Sequence, residues 1–127
     1  KVFNDELSRT IVLCSNNKFS NSRTPFSKYL AVKEDFGKLC PEDILKVLGN
    51  EGIMSVLIEG GRKLLNSFSL KKLIDEIHIY KTDKIIENAK LENPLKIDKD
   101  WQLENPKNLG QDQLYIAYKK EKCLQEL

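Results

Sequence analysis

The sequence is poor in the residues from which metal and redox centres are built. Its 127 residues include one histidine, three cysteines, one methionine and one tryptophan. The histidine, His78, alternates with Ile77 and Ile79 as in a strand, which reads as a structural or solvent-facing position. One histidine with scattered cysteines makes no zinc-type ligand set, so we expect no metal. Cys14, Cys40 and Cys123 are odd in number and irregular in spacing. That pattern argues against a disulfide framework and for reduced thiols in a cytoplasmic protein. Cys14 lies in an apolar run and reads as a small core residue, whereas Cys123 lies in a polar tail and reads as exposed.

Long apolar runs are missing too. None approaches the roughly 20 residues that cross a bilayer, and the first residues do not form a signal peptide. An excess of one charge is also absent: 21 basic and 19 acidic side chains leave a net charge of +2. The lysines are interleaved with acids and form no basic block, so neither nucleic acid nor membrane is expected as a partner. The only methionine is Met54 and the first residue is Lys1. The expectation is therefore a chain that is not read from its own start codon. At 40% hydrophobic and 31% charged residues, the composition is that of a globular domain with room for a core.

What is present is concentrated in one stretch. Residues Ile53-Met54-Ser55-Val56-Leu57-Ile58 form an apolar run that ends on Glu59 and breaks on Gly60-Gly61. Arg62-Lys63-Leu64-Leu65-Asn66-Ser67-Phe68 follows, with apolar residues at helical spacing. The reading is a buried strand, a glycine break and a helix start. Free backbone N–H groups and the helix dipole both favour an anion at such a point. Two residues without Cβ would let a phosphate approach the main chain. Glu59 would stand at the edge of the same crevice, where open α/β sheets place their ligands. The spacing is neither the G-x-G-x-x-G of a dinucleotide fold nor that of a P-loop.

Elsewhere, Thr10 to Ser15 reads as a buried strand and residues 16–27 as a loop. Tyr29-Leu30-Ala31-Val32 reads as a second strand. Pro41-Glu42-Asp43 opens a helix with Ile44, Leu45 and Leu48 on its apolar face, stopped by Gly49 and Asn50. The second helix, from about 61 to 68, should pack Leu64, Leu65 and Phe68 against the sheet. Residues 75–80 alternate as a strand, and 82–100 form a long connection. Trp101 to Glu104 and Gln113 to Tyr118 read as an antiparallel pair closing one edge, with Tyr115 and Tyr118 as packing residues. The order of elements argues for an α/β fold with a mixed, mainly parallel sheet.

The segment from Ser55 to Tyr80 resembles the reductase domain of the bifunctional riboflavin-biosynthesis deaminase/reductase family. The residues that carry the resemblance are Glu59-Gly60-Gly61, Leu64 with Ser67-Phe68, and Leu73-Ile74-Asp75-Glu76-Ile77. Val2-Phe3-Asn4 ahead of the first strand also looks like that family. The Ala-Pro pair that often follows the Asp-Glu strand is replaced here by Lys81-Thr82-Asp83-Lys84. The resemblance implies a dihydrofolate-reductase-like three-layer fold, a homodimer, and NADPH-dependent reduction in riboflavin biosynthesis. The substrate would be 5-amino-6-(5-phosphoribosylamino)uracil, whose ribosyl side chain is reduced to the ribityl form. It implies pyrimidine binding by Glu59 and cofactor binding along Gly60, Gly61, Arg62, Lys63, Leu64, Leu65, Asn66 and Ser67. It also implies that residues 1–127 are the C-terminal portion of one reductase domain, without its N-terminal part and without the deaminase domain. The alternatives are another reductase on the same fold, of dihydrofolate or pterin type, and a non-catalytic dimerisation module.

Overall fold

The structure, a computed structural model, describes residues 8–16, 25–90 and 92–120. Val2-Phe3-Asn4 and Cys123 lie outside the described residues. The chain forms two compact units, residues 1–58 and 59–127.

In the first unit, β1 (Thr10–Ser15) and β2 (Ser27–Val32) pair in parallel, from Thr10 opposite Ser27 to Ser15 opposite Val32. Both expected strands form, the second starting two residues early. Val32 is fully buried, while Cys14 is half-buried with its thiol directed at the Leu30 carbonyl. A short hairpin follows that the sequence reading missed, β3 (Glu34–Asp35) with β4 (Lys38–Leu39). Its two-residue loop has φ of 49° at Phe36 and 73° at Gly37, the left-handed pair of a type I′ turn. Phe36 is 98% exposed at the tip.

Helix α1 (Pro41–Asn50) begins where proline and the acids Glu42 and Asp43 suit a first turn. The Asp43 carboxylate accepts the Lys33 backbone N–H at 2.8 Å. Pro41, Ile44 and Leu48 are buried on a face that packs against β2. Full burial of an Ile or Leu side chain stabilises by about 1.5–3 kcal/mol. The helix ends at Asn50, as expected, and the left-handed turn that closes it falls at Gly52. There φ is 81°, and the N–H groups of Gly52 and Ile53 bond the carbonyls of Gly49 and Leu48. This is a Schellman end, which needs a left-handed residue one position past the cap. Glu51 ties that end to β2 through an ion pair with Lys28 at 2.5 Å.

The expected strand at 53–58 is not formed. Residues 53–60 belong to no helix or strand, with Met54 97% and Leu57 82% exposed. A strand exists only through a partner's hydrogen bonds, and apolar composition alone cannot supply them.

In the second unit, α2 (Arg62–Leu70) buries Phe68 to 3% exposure and half-buries Leu65, while Leu64 stays 42% exposed. Leu64 is therefore not the packing residue its spacing suggested. The helix ends in a second Schellman arrangement, with Leu73 N–H on the Phe68 carbonyl and Lys72 N–H on that of Ser69. Lys72 takes φ of 57° without being glycine. The Lys119 ammonium donates to the Lys72 carbonyl and so holds this turn against the following sheet.

That sheet is built on β8 (Asp112–Lys119). One edge of β8 pairs with β5 (Glu76–Lys81), placing Ile77 opposite Ala117 and Ile79 opposite Tyr115. The other edge pairs with β6 (Trp101–Leu103) and then β7 (Lys107–Leu109). Between them the Glu104 N–H still bonds the Ile116 carbonyl, and Pro106, which has no N–H, falls in the gap. Gly110, with φ of 67°, is the first loop residue of the β7–β8 hairpin, as a type II′ turn requires. The expected antiparallel closure by Trp101–Leu103 and Gln113–Tyr118 thus forms. The expectation of a mainly parallel sheet does not hold: among the described residues only β1 and β2 are parallel, and every other pairing is antiparallel. The fold is α/β with mixed sheets.

Candidate functional site

The segment that carries the candidate site, Glu59 through Ser67, lies wholly in the second unit. Glu59 and Gly60 precede the helix outside any regular element, and Gly61 is the N-cap of α2 with φ −69° and ψ 166°. No side chain caps the helix, and no acid lies in its first turn; Arg62 and Lys63 occupy it. The Gly61 carbonyl accepts the N–H groups of Leu64 at 3.0 Å and Leu65 at 3.3 Å. The N–H groups of Arg62 and Lys63 come before the first residue that can reach an acceptor inside the helix. Positive dipole end, free donors and two cationic side chains coincide there, and all three favour an anion.

The two glycines have different reasons to be glycine. A Cβ on Gly60 would come within 2.7 Å of the Leu64 Cδ2 atom, so local packing accounts for it. Gly61 has an ordinary negative φ, and a Cβ there would meet nothing within 4 Å. Neither backbone geometry nor packing calls for glycine at 61. A side chain at 61 would project into open space beside the helix start.

Glu59 is exposed, and among the described residues its carboxylate has no hydrogen-bond or ion-pair partner. It is available to accept donors from a ligand. The remaining positions of the expected cofactor set extend along α2. Asn66 is exposed, Leu65 is half-buried, and the Ser67 hydroxyl already donates to the Leu64 carbonyl at 2.6 Å. From Gly61 to Ser67 the helix rises about 9 Å. A single phosphate at the helix start would therefore lie beyond the reach of Ser67.

A second group of polar side chains lies on one face of the β5–β8 ladder. His78 Nε2 is 2.6 Å from the Glu76 carboxylate, and Glu76 lies directly opposite Tyr118. Loss of solvent around the phenol, together with the carboxylates of Glu104 and Glu76, raises the Tyr118 pKa above its ordinary value. Tyr118, expected as a packing residue, is 39% exposed and belongs to this polar cluster; Tyr115 is half-buried and bonds Gln113. Among the described residues no group of three His, Cys, Asp or Glu side chains is placed to hold a metal ion, and no helix is long and apolar enough to cross a membrane.

Sequence reading missed the cleft at the ends of β1 and β2, lined by Ser15, Asn16, Lys33 and Glu34. Its only signal was the abrupt change from apolar to polar residues at Ser15-Asn16.

A family model described as the RibD C-terminal domain matches residues 1–114 of the chain. No curated protein matches it.

Proposed function

The chain belongs to the RibD C-terminal domain family, the reductase domain of riboflavin biosynthesis, and from that premise we propose an NADPH-dependent reductase acting on 5-amino-6-(5-phosphoribosylamino)uracil. The observation that carries the proposal is Gly61, a helix N-cap whose missing Cβ leaves open space that neither fold nor packing requires. A dihydrofolate-reductase-like arrangement of the sheet belongs to the same proposal.

In this reading the start of α2 holds the cofactor pyrophosphate. The N–H groups of Arg62 and Lys63 point at it, and their side chains add positive charge. Gly60 and Gly61 keep side-chain bulk away from the approach. Leu64, Leu65, Asn66 and Ser67 line the cofactor further along the helix, Leu64 offering apolar surface and Asn66 an amide. Glu59 faces the pyrimidine, where its carboxylate accepts the ring N–H and amino donors. NADPH, when bound, supplies the hydride, and the protein supplies orientation and electrostatics. Because hydride transfer needs the two rings held in one geometry, a carboxylate directly before the cofactor cradle couples the two binding events.

The test is turnover. Loss of NADPH absorbance in the presence of the ribosylaminouracil phosphate, with the ribityl product identified by mass, is the expected result. Turnover of dihydrofolate or a pterin in its place assigns a different reductase. NADPH binding without turnover of any of these assigns a non-catalytic module.

A further inference from the structure

A cleft of about 280 Å³ lies where the end of β5 meets the β7–β8 hairpin. Its walls are Lys81, Asp83, Asn108, Gln111, Asp112 and Gln113, and Gly110 adds backbone but no side chain. None of these belongs to the segment from Glu59 to Ser67. Strand pairing builds the floor. Gln113 of β8 lies opposite Lys81 of β5 on one side and opposite Asn108 of β7 on the other. Residues paired across a ladder share a face, so the three stand in one row that spans about 10 Å. Past Lys81 the chain turns, with the Lys84 N–H on the Thr82 hydroxyl at 3.3 Å, and Asp83 lies within that turn. Asp112, opposite Leu109, closes the two-residue loop Gly110-Gln111.

The middle of the row is ordered by hydrogen bonds. The Tyr115 hydroxyl donates to Gln113 Oε1 at 2.9 Å, and Gln113 Nε2 donates to Asn108 Oδ1 at 3.5 Å. Both amide oxygens are thereby engaged, and the free ends of Gln113 and Asn108 are N–H donors. The charges are arranged differently. Lys81 lines the same cleft as Asp83 and Asp112, yet among the described residues it forms an ion pair with neither. One ammonium and two carboxylates thus border one concavity without neutralising each other.

We propose that this cleft binds a free α-amino acid with a polar side chain. The ligand carboxylate meets the Lys81 ammonium and the Gln113 N–H, the ligand ammonium meets the carboxylates of Asp83 and Asp112, and the amides of Asn108 and Gln111 take the side chain. The set of groups selects this class. A phosphate or any other plain anion would be set against two carboxylates, and a plain cation against Lys81. A neutral sugar would use none of the three charges, and an apolar ligand would find only polar side chains. A zwitterion carries an anion for the ammonium and a cation for the carboxylates, both as charge-assisted hydrogen bonds. The cleft is also smaller than the roughly 300–1,000 Å³ of sites for drug-sized ligands, which suits a single amino acid. The site is independent of the reductase reading.

The experiment titrates the isotope-labelled chain with L-glutamine, following the backbone amides of Lys81, Asp83, Gln111, Asp112 and Gln113. Saturable shifts at these residues are expected. Acetate and methylammonium, which each carry one of the two charges, should bind at least about tenfold more weakly. Lys81→Gln and Asp112→Asn should each weaken L-glutamine by about tenfold, the loss typical of a hydrogen bond to a charged group. Both residues are exposed and have no side-chain partner among the described residues, so both variants should melt with the parent chain. Three results overturn the proposal. One is the absence of saturable shifts with L-glutamine. Another is acetate or methylammonium binding as well as L-glutamine, which makes the cleft a site for a simple ion. The third is unchanged affinity in both variants. None of them bears on a Gly61→Val titration with NADPH, so the two readings fail separately.

Discussion

Glu76 and Tyr118 face each other directly across the β5–β8 ladder, and the same Glu76 carboxylate holds His78 Nε2 at 2.6 Å. One carboxylate therefore serves a phenol and an imidazole on a single sheet face, and Glu104 adds a second negative charge near the phenol.

The expected consequence is late ionisation of Tyr118. Its pKa is raised in the folded state by desolvation first and by Glu104 and Glu76 second. The unfolded chain thus releases this proton before the folded one does. The stabilising effect is complete below the unfolded pKa and is lost as pH rises through the folded one. Phenolate absorbance should show one tyrosine titrating above the ordinary range, absent in Tyr118→Phe and shifted down in Glu104→Gln. An identical titration curve for Glu104→Gln would remove that carboxylate as a cause.

Gly61→Val should weaken NADPH binding by at least about tenfold, or roughly 1.4 kcal/mol. The structure makes this a clean substitution, since φ is ordinary and a Cβ at 61 meets nothing within 4 Å. The melting temperature should stay close to that of the parent chain while the NADPH titration moves. Superimposable titrations would exclude the helix start as the cofactor site.

Glu59→Ala should weaken the pyrimidine substrate far more than NADPH. It leaves ring donors without an acceptor, a loss of about 1.5–3 kcal/mol for a hydrogen bond to a charged group. Because Glu59 is exposed and has no partner within the described fold, stability should not change. Steady-state kinetics with each substrate varied in turn decide the matter, and unchanged KM and kcat would take Glu59 out of the site.

Phe36→Asn should stabilise the chain. Phe36 holds φ of 49° at a type I′ position while 98% exposed, so it buries nothing in return for its strain. Asparagine tolerates the left-handed region, and the gain should be about 1 kcal/mol. A higher urea midpoint with an unchanged slope is the expected readout; a lower midpoint would mean the phenyl ring makes contacts that matter.

Legibility in the sequence followed the range of the physics involved. Helices α1 and α2 and strands β1, β2, β5 and β8 were readable because period and capping are local. Ile44 and Leu48, or Ile77 and Ile79, announce their face within one or two turns of chain. Residues 53–58 were misread because an apolar run states what it would bury and not what it pairs with. The β3–β4 hairpin was missed because Phe36 stands where Asn or Asp would signal the turn. Gly60 and Gly61 looked equivalent in sequence, and only their neighbours separate them: Leu64 crowds one and nothing crowds the other. The cleft of Lys81 and Asp112 could not be found at all without structure, since only strand pairing brings its walls together.

The outer side of β8 is shared by two strands of three residues each, parted at Glu104 to Pro106. Their interruption leaves no continuous row of donors and acceptors for a further strand to read. An incoming chain would find a template three residues long, then the three-residue break that ends in Pro106, then another three. Growth of the sheet in that direction stops itself, with no helix or loop needed to cover the border.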